Sequence, residues 1–138
     1  MNTVFTRTLV LDTEALSVLS RRTNRTVFSR LQIAKEQNAV ALFPTVILAE
    51  LLTGRSSDAA IWQVTHGLTA VDTTVQIAAQ AGRLRERAEN VRKKKRDLTV
   101  DAIVASTAIS WAPSLLITGD VDDLSLLTED SDVKVISV

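Results

Sequence analysis

The acids of this chain sit where apolar runs end or where they are interrupted. Asp12 is the first polar residue after Leu9-Val-Leu11, and Asp120 comes three residues after Leu115-Leu-Ile117. Glu50 lies inside Val46-Ile-Leu-Ala-Glu-Leu-Leu52, and Asp101 is flanked by Val100, Ala102, Ile103 and Val104. A carboxylate in such surroundings needs a partner, because burying its charge alone is costly. Asp123 follows Asp120 by three residues and points to the same place if a helix starts there. Taken singly, each acid has a structural explanation. Asp12 can cap a helix, Glu50 can face water, and Asp101 can favour a helix dipole for about 0.3–1 kcal/mol. Brought together they repel, so that either one takes a proton or a cation enters. Oxygen donors alone select a hard divalent ion, Mg²⁺ or Mn²⁺, which keeps several waters and prefers phosphate-bearing substrates.

The elements around these acids predict that they do come together. Apolar runs at 8–11, 39–43, 68–71, 115–117 and 133–138 read as buried strands. Between them lie helical stretches: Glu14 to Ser20; one capped by Asn24 with Val27, Phe28, Leu31 and Ala34 on one face; Thr45 to Thr53, closed by Gly54; and Asp58 to His66. A long helix capped by Asp72 or Thr73 carries Val75, Ala78, Ala81, Leu84, Ala88 and Val91 on one face. Thr99 caps a helix from Val100 to Trp111 that Pro113 stops, and a short helix spans Val121 to Leu127. Strands alternating with helices predict a single α/β domain over residues 1–138, an α/β/α sandwich on a parallel sheet of about five strands. In such a sheet, ligands bind beyond the carboxyl ends of the strands, and that is where Asp12 and Asp120 project.

Composition narrows the chemistry further. The 138 residues are 46% hydrophobic, which suffices for one core. Sixteen basic and sixteen acidic side chains give zero net charge, against a generally cationic nucleic-acid coat. With no cysteine and one histidine, thiol catalysis, disulfides and Cys/His zinc sites are excluded, as is paired-histidine RNA cleavage. His66 precedes Gly67 at a helix end and reads as a surface or capping residue. Trp62 and Trp111 lie in apolar helical stretches and read as core. No signal peptide or membrane span is visible, and a cytoplasmic protein is expected.

The order of the motifs is more specific than any one of them. Leu9-Val-Leu-Asp12-Thr13, Val46-Ile-Leu-Ala-Glu50-Leu-Leu, Thr99-Val-Asp101-Ala-Ile-Val-Ala-Ser-Thr-Ala108 and Leu116-Ile-Thr-Gly-Asp120-Val-Asp-Asp123-Leu together resemble PIN-domain ribonucleases. Within that family they are most similar to the VapC toxins of bacterial toxin–antitoxin pairs. The acids are spaced by 38 residues (12 to 50), 51 (50 to 101) and 19 (101 to 120), and the resemblance runs from about Leu9 to Val135. It implies a PIN-like fold, Mg²⁺- or Mn²⁺-dependent RNA cleavage, a homodimer, and an antitoxin partner with a segment covering the acidic site. By position, Asp12, Glu50, Asp101 and Asp120 match the family's acidic quartet: the metal is expected among Asp12, Asp101 and Asp120, with Glu50 either a ligand through water or a base that orients the attacking water. Asp123 matches a further acid that some members carry, and Thr118 a frequent hydroxyl beside the metal; Thr13 is a second supporting hydroxyl. The chain departs from the pattern at Glu14, where small residues are commoner, and in its run of five basic residues.

That run belongs to a polarised stretch. Between Arg83 and Asp97 stand eight bases (Arg83, Arg85, Arg87, Arg92, Lys93, Lys94, Lys95 and Arg96) and three acids (Glu86, Glu89 and Asp97), a net +5. Arg92, Lys93, Lys94, Lys95 and Arg96 are candidates for RNA-phosphate contacts that weaken with salt; a solvated loop at a helix end is the alternative. Other activities fit less well. A haloacid-dehalogenase-type phosphatase needs an aspartate where Glu14 stands, and the glycine signatures of dinucleotide and P-loop sites are absent. A PIN-like RNA-processing nuclease without an antitoxin, and a noncatalytic interaction module, are further alternatives.

Overall fold

The computed structural model describes residues 7–91 and 96–138. Five strands form one parallel sheet: β1 (Thr8–Leu11), β2 (Ala41–Pro44), β3 (Thr69–Val71), β4 (Ser114–Thr118) and β5 (Val133–Ser137). Their spatial order is β3-β2-β1-β4-β5. The chain therefore builds outward from β1 on one side, then returns and builds outward on the other. The junction of β1 and β4 is the point where the order reverses, and a crevice opens beyond the carboxyl ends of strands at such a point. Register places Leu11 opposite Ile117 there. Both faces of the sheet are closed to water: successive residues Val10 and Leu11, and Leu116 and Ile117, are fully buried. This is why the strands read as continuous apolar runs rather than as alternation. Edge strand β3 is largely exposed and only three residues long, so its sequence signal is weak.

Helices complete the α/β/α sandwich. Among the described residues, α1 (Thr13–Arg21), α2 (Arg25–Glu36), α3 (Leu48–Leu51) and α4 (Asp58–Thr65) belong to the first half. In the second half are α5 (Val75–Val91), α6 (Thr99–Ser110) and α7 (Val121–Leu127). α1 packs on α2 and α4, while α6 packs on α5 and α7. Ser106 of α6, fully buried, donates its hydroxyl to Ile77 O at 2.8 Å and ties α6 to α5.

Several local expectations are corrected. The segment expected as one helix over 45–53 is a 3-10 turn (Thr45–Ile47) followed by the single turn α3, and Leu52 is already extended. Gly54 does take positive φ, +77°, but in a loop pinned by Asp58, whose carboxylate accepts from the amides of Thr53 and Gly54. Thr74, not Asp72 or Thr73, caps α5, accepting from Ile77 N at 3.1 Å. The buried stripe of α5 is Ile77, Ala81, Leu84 and Ala88, whereas Val75 and Val91 are exposed. α6 starts at Thr99, whose amide and hydroxyl both donate to Asp97 Oδ1. Phe28, Trp62 and Trp111 lie at the surface rather than in the core, at 55%, 48% and 37% exposure. His66 is exposed, as expected, with Nδ1 3.1 Å from Trp62 O.

Candidate active site

Asp12 ends β1 and caps α1, so the strand and the helix fix it together. Oδ1 accepts from Ala15 N at 2.9 Å and Oδ2 from Gly119 N at 3.3 Å. A hydrogen bond from the Thr118 hydroxyl adds to these. Burial nevertheless dominates and raises its pKa above the usual carboxylate value, with Glu14 adding slightly. Glu14 itself turns outward toward Arg21 (3.6 Å) and does not crowd the crevice. Its Cβ and Cγ instead lie against the backbone of Gly119, where a side chain on residue 119 would collide with them.

Asp120 follows β4 and caps α7. Its Oδ1 accepts from Asp123 N at 3.4 Å, and its own amide donates to Thr118 Oγ1 at 2.8 Å. Asp123, one turn into α7, and Asp101, in the first turn of α6, face the same place. One carboxylate oxygen from each of Asp101, Asp120 and Asp123 lies within 4.8 Å of the others. Arg96 sits among them. Nη1 donates to Asp120 Oδ2 at 2.6 Å and to Asp123 Oδ2 at 3.3 Å; Nη2 donates to Asp101 Oδ2 at 3.4 Å. Its pKa is pushed up, first by the hydrogen bond to Asp120, so it stays charged.

The electrostatics follow from these contacts. Burial pushes the Asp101 carboxyl up to about 6; Arg96 opposes this, while Asp120, Asp12 and Asp123 reinforce it. Asp12, at the end of β1, acts on Asp101 through its charge but lies outside the group of three acids. At Asp120, burial works upward but is outweighed by hydrogen bonding with Asp123 and from Arg96, and the carboxyl is held below its usual range. Glu50 stands apart from the cluster, exposed on α3, and joins it through Thr13: the Thr13 hydroxyl donates to Glu50 Oε1 at 2.5 Å, next to Asp12 in sequence.

The structure therefore gathers Asp101, Asp120 and Asp123, sets Asp12 against them, and links Glu50 by way of Thr13. Asp123, a secondary candidate by sequence, belongs to the tightest group. Arg92, Lys93, Lys94 and Lys95 lie outside the described residues. The guanidinium of Arg96 turns into the acid cluster, a role that sequence reasoning missed. Only its spacing of five residues from Asp101 hinted at it. An all-oxygen donor set of crowded carboxylates, already drawing in a cation, suits a hard divalent ion.

Elsewhere, α1, α2 and α4 enclose an open groove of about 720 Å³. Its apolar wall includes Leu19, Phe28, Leu31 and Val64, and Arg22, Arg25 and Lys35 stand in its lining. Among the described residues no helix is long and apolar enough to cross a membrane.

The fold is a parallel α/β/α domain whose acids converge at the β1/β4 reversal. Comparison makes the assignment specific: the PIN-domain family model matches residues 9–136, and the chain belongs to that family. PIN domains are a family of nucleases. No curated protein sequence matches the chain. Among solved structures, it is similar to a chain of VapBC2 from Rickettsia felis bound to a DNA fragment from their promoter. That match has a TM-score of 0.74 and 15% identity, covering 94% of this chain and 98% of that one. It is also similar to a chain of DNA-bound VapBC from Salmonella typhimurium (0.68, 17%, 95% and 98%). A third is from FitAcB of Neisseria gonorrhoeae (0.62, 18%, 93% and 96%). At these identities the likeness is one of fold.

Proposed function

We propose that the protein is a metal-dependent endoribonuclease acting as the toxin of a toxin–antitoxin pair. The observation that carries this reading is the meeting of Asp101, Asp120 and Asp123 within 4.8 Å, beside buried Asp12. Those four residues would hold Mg²⁺ or Mn²⁺. Such an ion, when bound, acidifies a water and offsets charge on a phosphodiester. Asp12 and Asp120 are each fixed by a helix cap, so their oxygens are pre-positioned at low entropic cost. Glu50, oriented by Thr13, stands at the rim as the base that accepts a proton from the attacking water. In-line attack by that water breaks the P–O3′ bond and leaves a 5′-phosphate and a 3′-hydroxyl. The basic run Arg92 to Lys95 lies shortly before α6 in sequence, and would contribute contacts to RNA phosphates.

Two partners complete the reading. An antitoxin segment of amphipathic, acidic character suits the groove between α1, α2 and α4, whose apolar wall is accompanied by Arg22, Arg25 and Lys35. The family resemblance implies a homodimer, which sedimentation of the purified protein tests; a monomer at micromolar concentration would remove that part. The central test is RNA cleavage by the wild type and by Asp120→Asn. Mg²⁺- or Mn²⁺-dependent cutting is expected in the first and none in the second, with both folded by circular dichroism. Full cleavage in excess chelator would overturn the metal-dependent reading.

A further inference from the structure

Asp120 has two carboxylate oxygens, and both are committed. Oδ1 caps α7 through Asp123 N, and Oδ2 is held by Arg96 Nη1 at 2.6 Å, the shortest of the Arg96 contacts. The same guanidinium reaches Asp123 Oδ2 and Asp101 Oδ2. A cation ligated by these three acids needs the atoms that Arg96 already occupies. The position of Arg96 is built into the chain. Asp97, its neighbour, is clamped to the start of α6 by the amide and hydroxyl of Thr99, and Arg85 Nη1 donates to the same hydroxyl at 3.2 Å. The backbone is thus anchored one residue away, while the Arg96 side chain remains 54% exposed and free to swing outward.

We propose that Arg96 is an internal counter-ion of the acid cluster, displaced when a divalent cation binds. The proposal rests on the metal reading given above and adds its regulation: the cluster is neutralised in cis until an ion competes the guanidinium away. Charge and distance decide the competition. A divalent ion carries twice the charge and approaches oxygen to about 2.1 Å, whereas the guanidinium stands at 2.6–3.4 Å. The ion therefore displaces the guanidinium, but over a smaller margin than at a cluster without it. A half-exposed ion pair gives way readily, since such pairs contribute little stability. Once released, Arg96 stands at the rim of the crevice, where a phosphate oxygen can take the place of the aspartates.

Calorimetric titration with MnCl₂ alone, on the wild type and on Arg96→Gln, tests this without any substrate. The Gln variant is expected to bind Mn²⁺ about tenfold more tightly, because a positive charge beside the ion has gone. It is also expected to melt below the wild type in chelator and at or above it in saturating Mn²⁺. Equal or weaker Mn²⁺ binding by the variant overturns the counter-ion role and leaves the metal reading standing; no binding by either protein overturns both. A measurement on the unaltered protein guards against a poorly folded variant. The side-chain Nε–H resonance of Arg96 is expected to shift and lose exchange protection as Mg²⁺ saturates the site. A resonance unmoved at saturation overturns the proposal.

Discussion

Asp101→Asn in chelator isolates the cost of assembling the acid cluster. The pKa of Asp101 rises from 3.8 in the unfolded chain to about 6 in the fold, chiefly through burial. That difference amounts to about 3 kcal/mol, at about 1.4 kcal/mol per pKa unit. Its side chain is 19% exposed, so solvent screening removes little of this. The folded protein holds the Asp101 proton more tightly than the unfolded chain does. The favourable contribution is therefore complete below pH 3.8 and lost as the pH climbs through about 6. Asparagine keeps the shape and cannot ionise. Relative to the wild type, the variant should gain up to about 3 kcal/mol between pH 4 and pH 8, or up to about 10 °C in Tm for a domain of this size. Melting both proteins at each pH unit from 4 to 8 in chelator reads the difference directly. A Tm gap that stays constant across that range would refute the claim that Asp101 is charged against its surroundings.

Other perturbations probe other contacts. Gly119→Ala places a Cβ at 2.7 and 2.8 Å from Glu14 Cγ and Cβ; denaturant unfolding should show a loss of about 1–3 kcal/mol, largely recovered in the double variant with Glu14→Gly. An unaffected Gly119→Ala would mean that α1 yields freely. Thr13→Val removes the hydroxyl that orients Glu50 and should lower kcat about tenfold with little change in KM; an unchanged kcat would detach Glu50 from the reaction. Phe28→Asp, at a side chain 55% exposed in the groove, should leave Tm nearly unchanged and weaken antitoxin binding at least tenfold; undiminished binding would move the antitoxin elsewhere. Replacing Lys93, Lys94 and Lys95 by Gln should flatten the dependence of RNA affinity on salt, with a slope smaller by up to about 0.7 per lost phosphate contact; an unaltered slope would make the run a solvated loop.

The parts of the site that lie on strands were readable because burial on both faces leaves no ambiguity. An apolar run that gives way to polar residues marks a carboxyl end: β1 stops at Asp12, and β4 gives way at Thr118, two residues before Asp120. Asp101 was readable for the complementary reason: a charge amid Val100, Ala102, Ile103 and Val104 has to face something. The middle of the α5 stripe was readable, since Ala81, Leu84 and Ala88 are buried as expected, but its ends were not: Val75 and Val91 are exposed, and Ile77 takes the first buried position, where Ile77 O accepts from the Ser106 hydroxyl of α6. Trp62 and Trp111 misled because helices at the surface of a sandwich carry large apolar residues outside the buried stripe as well. Arg96 was hidden for a different reason. A run of bases reads as one solvated patch, and nothing in the run says that its last member turns back on acids 5, 24 and 27 residues further along the chain.

The topology explains why these acids meet although the sequence scatters them. Building outward from β1 in both directions leaves β1 and β4 side by side with their connections departing on opposite sides, so the residues just past both strands border one crevice. α1 and α7 start there, and their caps are Asp12 and Asp120. Capping alone would stabilise each helix start by about 1 kcal/mol. Converging on this crevice is costly for Asp101, whose carboxyl is raised first by burial and then by Asp120, Asp12 and Asp123, whereas Asp123 and Arg96 hold Asp120 below its usual range. Such an arrangement is relieved either by a proton, as on the raised Asp101 carboxyl, or by a cation. Within the chain that cation is Arg96; in the working enzyme it would be the metal. On the proposed function, stability and activity would draw on the same carboxylate oxygens. A substitution that relieves the cluster should stabilise the metal-free fold by the same interactions through which it removes the ion.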